Sequence, residues 1–330
     1  MMSIAGITSK ATEVGLPRPV VPKKMLTPIM DVSCIKRKWL DIAYATQTNS
    51  QKLDVYLPDD GEGPFPVVVL IHGGGWIVGD KRSDMLSGML KIYSAGYAVV
   101  SVNYRLSGEG KWPAQIYDVK AAVRFIRANA PKYKLNPDKI AVMGESAGGH
   151  LAMLLGTTDG VKELEDLNMG NMDQSSRVQA VIDWYGVVNI GTLADDRKLV
   201  GYNSDNGLTG MEDYLFGSVI SEIPDIVEKA NPETYISPNM PPFFIQHGTA
   251  DQVVPYMQSI RFADKAKKVG PGANTVILEL LEGAKHGDRR AFICNSNIQK
   301  VLDFLDRELL GLEKRRILTL LPEFRIIGSA

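Results

Sequence analysis

The run KIAVMGESAGGHLAML, at residues 139–154, constrains the fold more than any other part of the chain. It places Gly-Glu-Ser-Ala-Gly, residues 144–148, between a short apolar run typical of a buried strand and a longer one typical of a helix. A serine on such a sharp turn requires small residues two positions before and after it, because the strand and the helix pass close together. The pattern therefore predicts that Ser146 is exposed at a strand end, beside the N–H groups that begin a helix.

From residue 39 onward, short β-branched runs alternate with longer runs of helical spacing. After a hairpin at 39–45 and 52–58, strands are predicted at 65–73, 97–104, 139–146, 178–186, 241–248 and 274–283. Their near-continuous apolar runs are typical of strands that are buried on both faces. The alternation predicts an α/β fold with a mostly parallel central sheet and helices on both faces.

We expect one domain over residues 39–310, with an N-terminal extension (1–38) before it and a C-terminal tail (311–330) after it. Inside the domain, the segment at about 187–240 interrupts the strand–helix rhythm and is rich in Asn, Asp, Gly and Pro. This composition predicts a small cap inserted above the sheet, where substrate-shaping loops commonly lie.

Composition excludes several classes of protein. The net charge is −1 and the basic residues are scattered, so we expect no nucleic-acid partner. Cys34 and Cys294 are too few for a disulfide framework or a cysteine-rich metal site, and their pairing is left open. We expect no metal, cofactor or membrane partner, whereas an oligomer is open. No continuous apolar run of the signal-peptide kind opens the chain, which favours the cytoplasm, although a mature secreted form would look the same.

A glycine-rich loop follows the strand predicted at 65–73. Its sequence, His72-Gly73-Gly74-Gly75-Trp76, allows consecutive backbone N–H groups to point into one cavity. Such donors stabilise the negative oxygen that forms during acyl transfer. We assign Gly74, Gly75 and Ala147 as the donors of an oxyanion hole, to within one residue in the glycine run. A phosphate-binding loop is the alternative, but the chain has neither a Walker lysine-serine pair nor GxGxxG here.

A serine hydroxyl is a weak nucleophile unless a positioned base removes its proton. Of the four histidines, His72 belongs to the glycine loop, His150 lies one helical turn after Ser146, and His247 ends a strand. His286 alone follows the last predicted strand, in the loop LEGAKHGD. We therefore predict that His286 is the general base.

The base must itself be oriented by an acid. Asp251 lies in QHGTADQVVP, directly after the penultimate predicted strand. Serine, aspartate and histidine then each follow a strand, in the chain order found in α/β folds of this kind. Asp288 is the competitor, but it lies too close in sequence to His286 to be the first choice.

Together these motifs resemble the bacterial α/β-hydrolase carboxylesterases, which include feruloyl, acetyl-xylan and hormone-sensitive-lipase-like esterases. The resemblance covers residues 39–310 and is carried by HGGGW, NYRL, WPAQIYDV, NPDKIAVMGESAGGHLA, DWYG, HGTADQVVP and EGAKHG. The hormone-sensitive-lipase branch usually carries a DPL-type run at its aspartate, where this chain has Asp251-Gln252-Val253-Val254-Pro255. The departure favours the feruloyl and acetyl-esterase side.

The resemblance also suggests roles for residues outside the triad. Arg105 and Asp118 are expected to form a supporting ion pair. Trp76, Trp184 and Tyr185 fall beside strand ends, where aromatic side chains line an acyl pocket or close the core. Both interpretations stay open, and the three are candidate pocket residues.

The function indicated is hydrolysis of short-chain or aryl esters, of the acetyl or feruloyl type, through an acyl-enzyme, with a small-molecule ester as substrate. An arylformamidase or a peptidase using the same triad is the alternative enzyme. A catalytically silent binding protein of the same fold is the alternative outside enzymes.

Overall fold

The computed structural model describes residues 16–21, 26, 28–202, 210–269, 275–313 and the backbone of 325–327. The strands are β1 (Ile29–Asp31), β2 (Lys38–Ala43), β3 (Lys52–Tyr56), β4 (Phe65–Ile71), β5 (Ala98–Val102), β6 (Leu135–Glu145), β7 (Ala180–Trp184), β8 (Phe243–Gly248), β9 (Val276–Leu281) and β10 (Arg325–Ile327).

The helices are α1 (Ser87–Leu90), α2 (Ala114–Ala128), α3 (Ala147–Thr157), α4 (Ile190–Leu199), α5 (Met211–Phe216), α6 (Pro224–Glu228), α7 (Met257–Val269), α8 (Arg289–Phe292) and α9 (Asn295–Leu305). Short 3-10 turns occupy Asp84–Leu86, Lys91–Ala95, Lys162–Leu164, Leu167–Met169, Ile220–Glu222 and Pro232–Tyr235, and a π-helical turn, Asp306–Leu310, continues α9. Among the described residues, no helix is both long enough and apolar enough to cross a membrane.

Eight strands form one central sheet in the order β2-β3-β5-β4-β6-β7-β8-β9. The pairings β2–β3 and β3–β5 are antiparallel, whereas every pairing from β5 through β4 to β9 is parallel. The predicted hairpin and the six later strands are all present, and the α/β-hydrolase fold class is confirmed.

Both faces of the sheet are covered by helices. Along β4, Val67 and Val69 face a core layer that includes side chains of α2, α3 and α7. Val68 and Leu70 face the opposite layer, with side chains of α1, α8 and α9. The alternation follows from the two-residue period of a strand, and it explains why the apolar runs in the sequence are continuous.

The register of the sheet determines which loops meet. In β4 and β6, Ile71 is paired with Gly144, and in β8 and β9, Gly248 is paired with Leu281. Because parallel strands end at the same edge, the segments that follow these four residues emerge side by side. These segments are the glycine loop, the Ser146 turn and the loops that carry Asp251 and His286.

Helices α4, α5 and α6 lie between β7 and β8, inside the segment predicted as the cap. The boundaries of the predicted cap, extension and tail stay predictions. One part of the tail was not expected to join the fold: β10 pairs antiparallel with β1 of the extension, with Ile29 opposite Ile327. Isoleucines favour strands, which supports pairing at this position. Cys34 and Cys294 are both free thiols, so the open question of their pairing is answered.

Candidate active site

Ser146 lies on the turn between β6 and α3. Its backbone, with φ 53° and ψ −119°, adopts a conformation that is rare for a residue with a side chain. A Cβ on Gly144 would lie 2.2 Å from the carbonyl oxygen of Gly148, and a Cβ on Gly148 would lie 2.2 Å from that of Ile71. Both glycines are therefore required by the close approach of helix and strands, for the reason that the sequence indicated.

The structure brings together the three residues predicted as the triad. Nε2 of His286 lies 2.9 Å from Oγ of Ser146. Nδ1 of the same imidazole lies 2.7 Å from Oδ2 of Asp251. The imidazole thus bridges a hydroxyl and a carboxylate, which is the geometry needed to take a proton from the hydroxyl.

Both carboxylate oxygens of Asp251 are held by neighbours. Oδ1 accepts hydrogen bonds from the N–H groups of Val253 and Val254, at 2.8 and 2.9 Å. Oδ2 faces His286 and also lies 3.4 Å from Nε2 of His247. The carboxylate is only 1% exposed, so these donors replace the water that would otherwise solvate it.

The ionisation of the pair follows from these contacts. Burial raises the pKa of Asp251, but the charge of the adjacent His286 and the nearby His247 ring lower this pKa by more than burial raises it, so it lies well below its ordinary value. Burial lowers the pKa of His286, but the charge and hydrogen bond of Asp251 outweigh burial and hold this pKa above its ordinary value of 6.5. Asp251 therefore stays ionised while the imidazole gains basicity.

The glycine loop after β4 is held from both sides. The N–H of Gly73 donates to Oε1 of Glu145 at 2.7 Å. Nδ1 of His72 lies 2.8 Å from the carbonyl oxygen of Gly73, and the hydroxyl of Tyr104 donates to the carbonyl of His72 at 3.0 Å. Because a carbonyl only accepts, Nδ1 of His72 carries the proton. His72 therefore shapes the loop, as the sequence indicated.

The next residues of this loop line the same cavity as Ser146. Gly74 and Gly75 have φ values of +105° and +59°. Within the described part of the chain, the N–H groups of Gly74, Gly75 and Ala147 have no protein acceptor. Ala147 opens α3, where the first N–H groups of a helix lack intrahelical partners. The predicted oxyanion donors thus remain available beside Ser146, whereas the N–H of Gly73 is already used.

Glu145 is a site residue that the sequence reasoning missed. Its side chain is buried at 6% exposure, lines the cavity in front of Ser146 and fixes Gly73. Burial raises the pKa of Glu145, while the Gly73 N–H and the charge of His286 oppose this shift. The pairing of two neighbouring strands could have indicated this role. Ile71 of β4 is paired with Gly144 of β6, so Glu145 lies next to the glycine loop that follows Ile71.

A cavity of about 320 Å³ opens in front of Ser146 and His286. Its apolar lining residues include Met85, Val187, Met211, Val253 and Val254. Polar and charged groups also reach it, and they include Ser83, Glu145, Arg197 and Glu212. Val187, Arg197, Met211 and Glu212 come from the segment predicted as the cap. No sequence pattern marks these four residues, because their positions depend on how the cap packs.

The structure corrects two of the three candidate pocket aromatics. Trp76 lines the cavity, and its Nε1 donates to Nδ1 of His150 at 3.2 Å. Trp184 is fully buried in the core and its Nε1 donates to Gln246 at 2.7 Å, so it does not line the cavity. Tyr185 packs edge-on against the His286 ring, with centroids 4.8 Å apart, and does not itself line the cavity.

The other histidines are occupied elsewhere. Nδ1 of His150 accepts from Trp76, and its Nε2 donates to the carbonyl of Ala230 at 2.7 Å. Burial lowers the pKa of His150 to about 4, which keeps this ring neutral. His247 is buried between the Ser259 hydroxyl and the Val254 carbonyl, each 2.7 Å away. Neither ring has a nitrogen left for Ser146.

Two further expectations concern carboxylates. Asp118 and Arg105 form an ion pair at 2.7 Å, as the resemblance suggested. Asp288, the competitor for the acid role, accepts from the N–H of Arg290 at 3.0 Å and caps the start of α8. Within the described ranges, no group of three or more His, Cys, Asp or Glu side chains is arranged to hold a metal ion.

Known esterases are similar to this chain in sequence and in fold. The family model BD-FAE matches residues 53–266. A probable carboxylic ester hydrolase, LipM from Mycobacterium tuberculosis, is 33% identical over 241 residues, which are 69% of this chain and 52% of that protein. The chain thus spans about half the length of that curated relative.

Two solved structures are similar over most of the chain. A bifunctional GH43-CE protein from Bacteroides eggerthii is 38% identical with a TM-score of 0.73, over 83% of this chain and 35% of that one. A truncated carbohydrate esterase from gut microbiota is 29% identical with a TM-score of 0.76, over 86% of this chain and 99% of that one. With the family model, these likenesses confirm the resemblance indicated by the sequence motifs. The chain belongs to the BD-FAE family of α/β-hydrolase carboxylesterases.

Proposed function

We propose that this protein is a serine carboxylesterase that hydrolyses short-chain or aryl esters, of the acetyl or feruloyl type, through an acyl-enzyme. The observation that carries the proposal is the His286 imidazole, which lies 2.9 Å from the Ser146 hydroxyl and 2.7 Å from the Asp251 carboxylate. Within the described residues, N–H groups on the glycine loop and at the start of α3 have no protein acceptor. They can therefore donate to the carbonyl oxygen of the ester as it becomes negative.

In the first half of the reaction, Oγ of Ser146 attacks the ester carbonyl carbon while Nε2 of His286 takes the hydroxyl proton. The carbonyl oxygen becomes negative, and we assign its stabilisation to the N–H groups of Gly74, Gly75 and Ala147. The intermediate collapses when the bond to the alcohol oxygen breaks, and His286 transfers its proton to the departing alcohol. The acyl group remains on Ser146 as an ester.

In the second half, His286 takes a proton from a water molecule as the water oxygen attacks the acyl carbon. The bond to Oγ then breaks, Ser146 regains its proton from His286, and the carboxylic acid leaves. Asp251 remains ionised throughout and stabilises the imidazolium that forms twice. The cap supports this chemistry by closing part of the cavity, because Val187, Arg197 and Met211 line it.

The relatives support the reaction type, and one solved neighbour supports the substrate range. LipM is named a probable carboxylic ester hydrolase, and the gut neighbour is named a carbohydrate esterase. Acetylated and feruloylated sugars therefore belong in the substrate panel beside simple aryl esters.

The test combines covalent labelling with turnover. We expect a fluorophosphonate probe to label the native protein and p-nitrophenyl acetate to be hydrolysed, and both to be lost in Ser146→Ala. The matched control is Ser94→Ala, which removes an exposed hydroxyl that donates only to the Lys91 carbonyl. An unlabelled native protein would favour the silent binding protein. Faster turnover of N-formylkynurenine or a peptide amide than of the aryl acetate would favour the other enzyme classes.

A further inference from the structure

The cavity carries an ion pair from the cap among its mostly apolar walls. Arg197 is near the end of α4 and Glu212 is in the first turn of α5. Nη1 of Arg197 lies 3.0 Å from Oε1 of Glu212, and the two side chains are only 12% and 10% exposed. Both line the same cavity as Ser146. Removing charged side chains from water is costly unless they gain partners, so this pair requires an explanation.

Part of the pair's hydrogen-bonding capacity is used by the protein. Nε of Arg197 donates to the carbonyl of Val253 at 2.8 Å, and its guanidinium lies 5.5 Å from the Tyr202 ring centroid. Within the described residues, Nη2 of Arg197 and Oε2 of Glu212 have no protein partner. Because both residues line the cavity, the pair adds an unused donor and an unused acceptor to its wall.

This combination favours one class of ligand. A hydroxyl group both donates and accepts, so neighbouring hydroxyls on a neutral molecule can satisfy Glu212 and Arg197 together. A carboxylate would have to compete with Glu212 for the guanidinium. A plain alkyl group would exclude water from the pair and leave charged atoms without partners, which is unfavourable.

The position of the pair indicates which part of an ester it faces. Arg197 is anchored to the carbonyl of Val253, two residues after Asp251 and in the loop that orients His286. Its charge acts on the imidazole, since Arg197 contributes to lowering the pKa of His286. In the proposed reaction His286 returns its proton to the departing alcohol, so the alcohol leaves on the histidine side.

We propose that Arg197 and Glu212 form a subsite for the alcohol portion of the ester and select alcohols that carry hydroxyls beside the ester bond, as sugars and polyols do. This inference rests on the proposed esterase function and adds a specificity determinant from the cap. Arg197 and Glu212 bind the substrate and take no part in proton transfer.

The experiment compares two acetates of six-membered rings that differ in hydroxylation, a monoacetylated methyl xyloside and cyclohexyl acetate, with p-nitrophenyl acetate as a baseline. Glu212→Leu removes the acceptor, and Glu212→Gln retains a neutral one. For Glu212→Leu we expect kcat/KM on the xyloside acetate to fall roughly tenfold or more, the usual effect of losing a hydrogen bond to a charged group. The ratio of kcat/KM on the xyloside acetate to kcat/KM on cyclohexyl acetate should fall by roughly the same factor, and Glu212→Gln should lie between native and Leu.

Glu233→Gln is the matched control. Glu233 is a second buried glutamate of the cap, paired with Lys265 at 2.9 Å, and it does not line the cavity. This variant should keep the native ratio of xyloside to cyclohexyl turnover. Equal turnover of the two acetates by the native enzyme, or an unchanged ratio in both Glu212 variants, would overturn the subsite. Absence of any Ser146-dependent ester hydrolysis would instead reject the proposed function.

Discussion

At the scale of single residues, the strength of the base depends on which groups surround the imidazole of His286. Burial and Arg197 disfavour the charged imidazolium, whereas Asp251 and Glu145 favour it, and the balance raises the pKa of His286. The largest favourable contribution comes from Asp251, whose own pKa is lowered chiefly by the charge of His286. In the proposed reaction, Asp251 therefore orients the imidazole and also sets the pH range in which the imidazole can act as a base.

This balance predicts the pH profile of the proposed reaction. The base must be neutral, so kcat/KM for p-nitrophenyl acetate should be lost as the pH falls through the pKa of His286, with a midpoint above 6.5. In Asp251→Asn the main charge that raises this pKa is gone. We therefore expect the midpoint to move down and kcat to fall by roughly 10³–10⁴.

Asp288→Asn is the control for this profile, because Asp288 lies two residues from His286 but its carboxylate caps α8, and asparagine caps helices equally well. Its midpoint and kcat should match those of the native protein. A midpoint in Asp251→Asn that equals the native one would contradict the assignment of Asp251 as the partner of His286.

At the scale of elements, the sequence predicted the strands better than the conformation of the loops between them. Continuous apolar runs mark the strands because both faces of the sheet are covered, and strand order then places Ser146, Asp251 and His286 at one edge. The glycine loop could be predicted only to within one residue. Which N–H groups of this loop are available depends on the carboxylate of Glu145, because it accepts a hydrogen bond from the N–H of Gly73.

The loop supplies a prediction at this scale. Gly74 has a φ of +105°, and a Cβ there would lie 2.1 Å from the carbonyl oxygen of Val78. Gly74→Ala must therefore move the loop, and we expect kcat for p-nitrophenyl acetate to fall by roughly 10²–10³, the usual effect of losing one oxyanion donor. Thermal unfolding measured in parallel should show that the chain remains folded.

Gly160→Ala is matched to this variant because Gly160 also has a positive φ, +74°, but a Cβ there would meet no atom within 4 Å. Gly160→Ala therefore strains the backbone but pushes the new methyl group against no neighbouring atom. We expect it to lower the free energy of unfolding by about 1 kcal/mol and to leave kcat unchanged. A Gly74→Ala variant with native kcat would reject this loop as the oxyanion hole.

At the scale of the whole molecule, the layers around the sheet bury the carboxyl group of Asp183. In the sequence, Asp183 was noted only as part of the motif DWYG. Asp183 lies at the end of β7, is fully buried, and accepts the N–H of Gly186 through Oδ1 at 3.0 Å. Among the described residues its Oδ2 has no partner. The depth of a side chain depends on all the layers packed around it, so no local pattern reveals it. Arg197 and Glu212 escaped prediction for the same reason, because the cap's packing alone brings them to the cavity.

Asp183 makes the stability of the whole molecule depend on pH in a stated direction. Burial raises the pKa of Asp183 from 3.8 to about 8. Between these pH values Asp183 loses its proton in the unfolded chain and keeps it in the folded chain. The contribution of Asp183 to the free energy of unfolding therefore falls by about 1.4 kcal/mol per pH unit and becomes constant above pH 8. In Asp183→Asn the amide would mimic the neutral carboxyl without titrating. The stability of this variant relative to native, measured by urea unfolding, should therefore rise from pH 5.5 to pH 8, by about 3 kcal/mol.

Asp159→Asn, at a half-exposed surface position, should show a constant difference over this range. If the Asp183→Asn difference were equally flat, the carboxyl would not be retained in its neutral form by the fold.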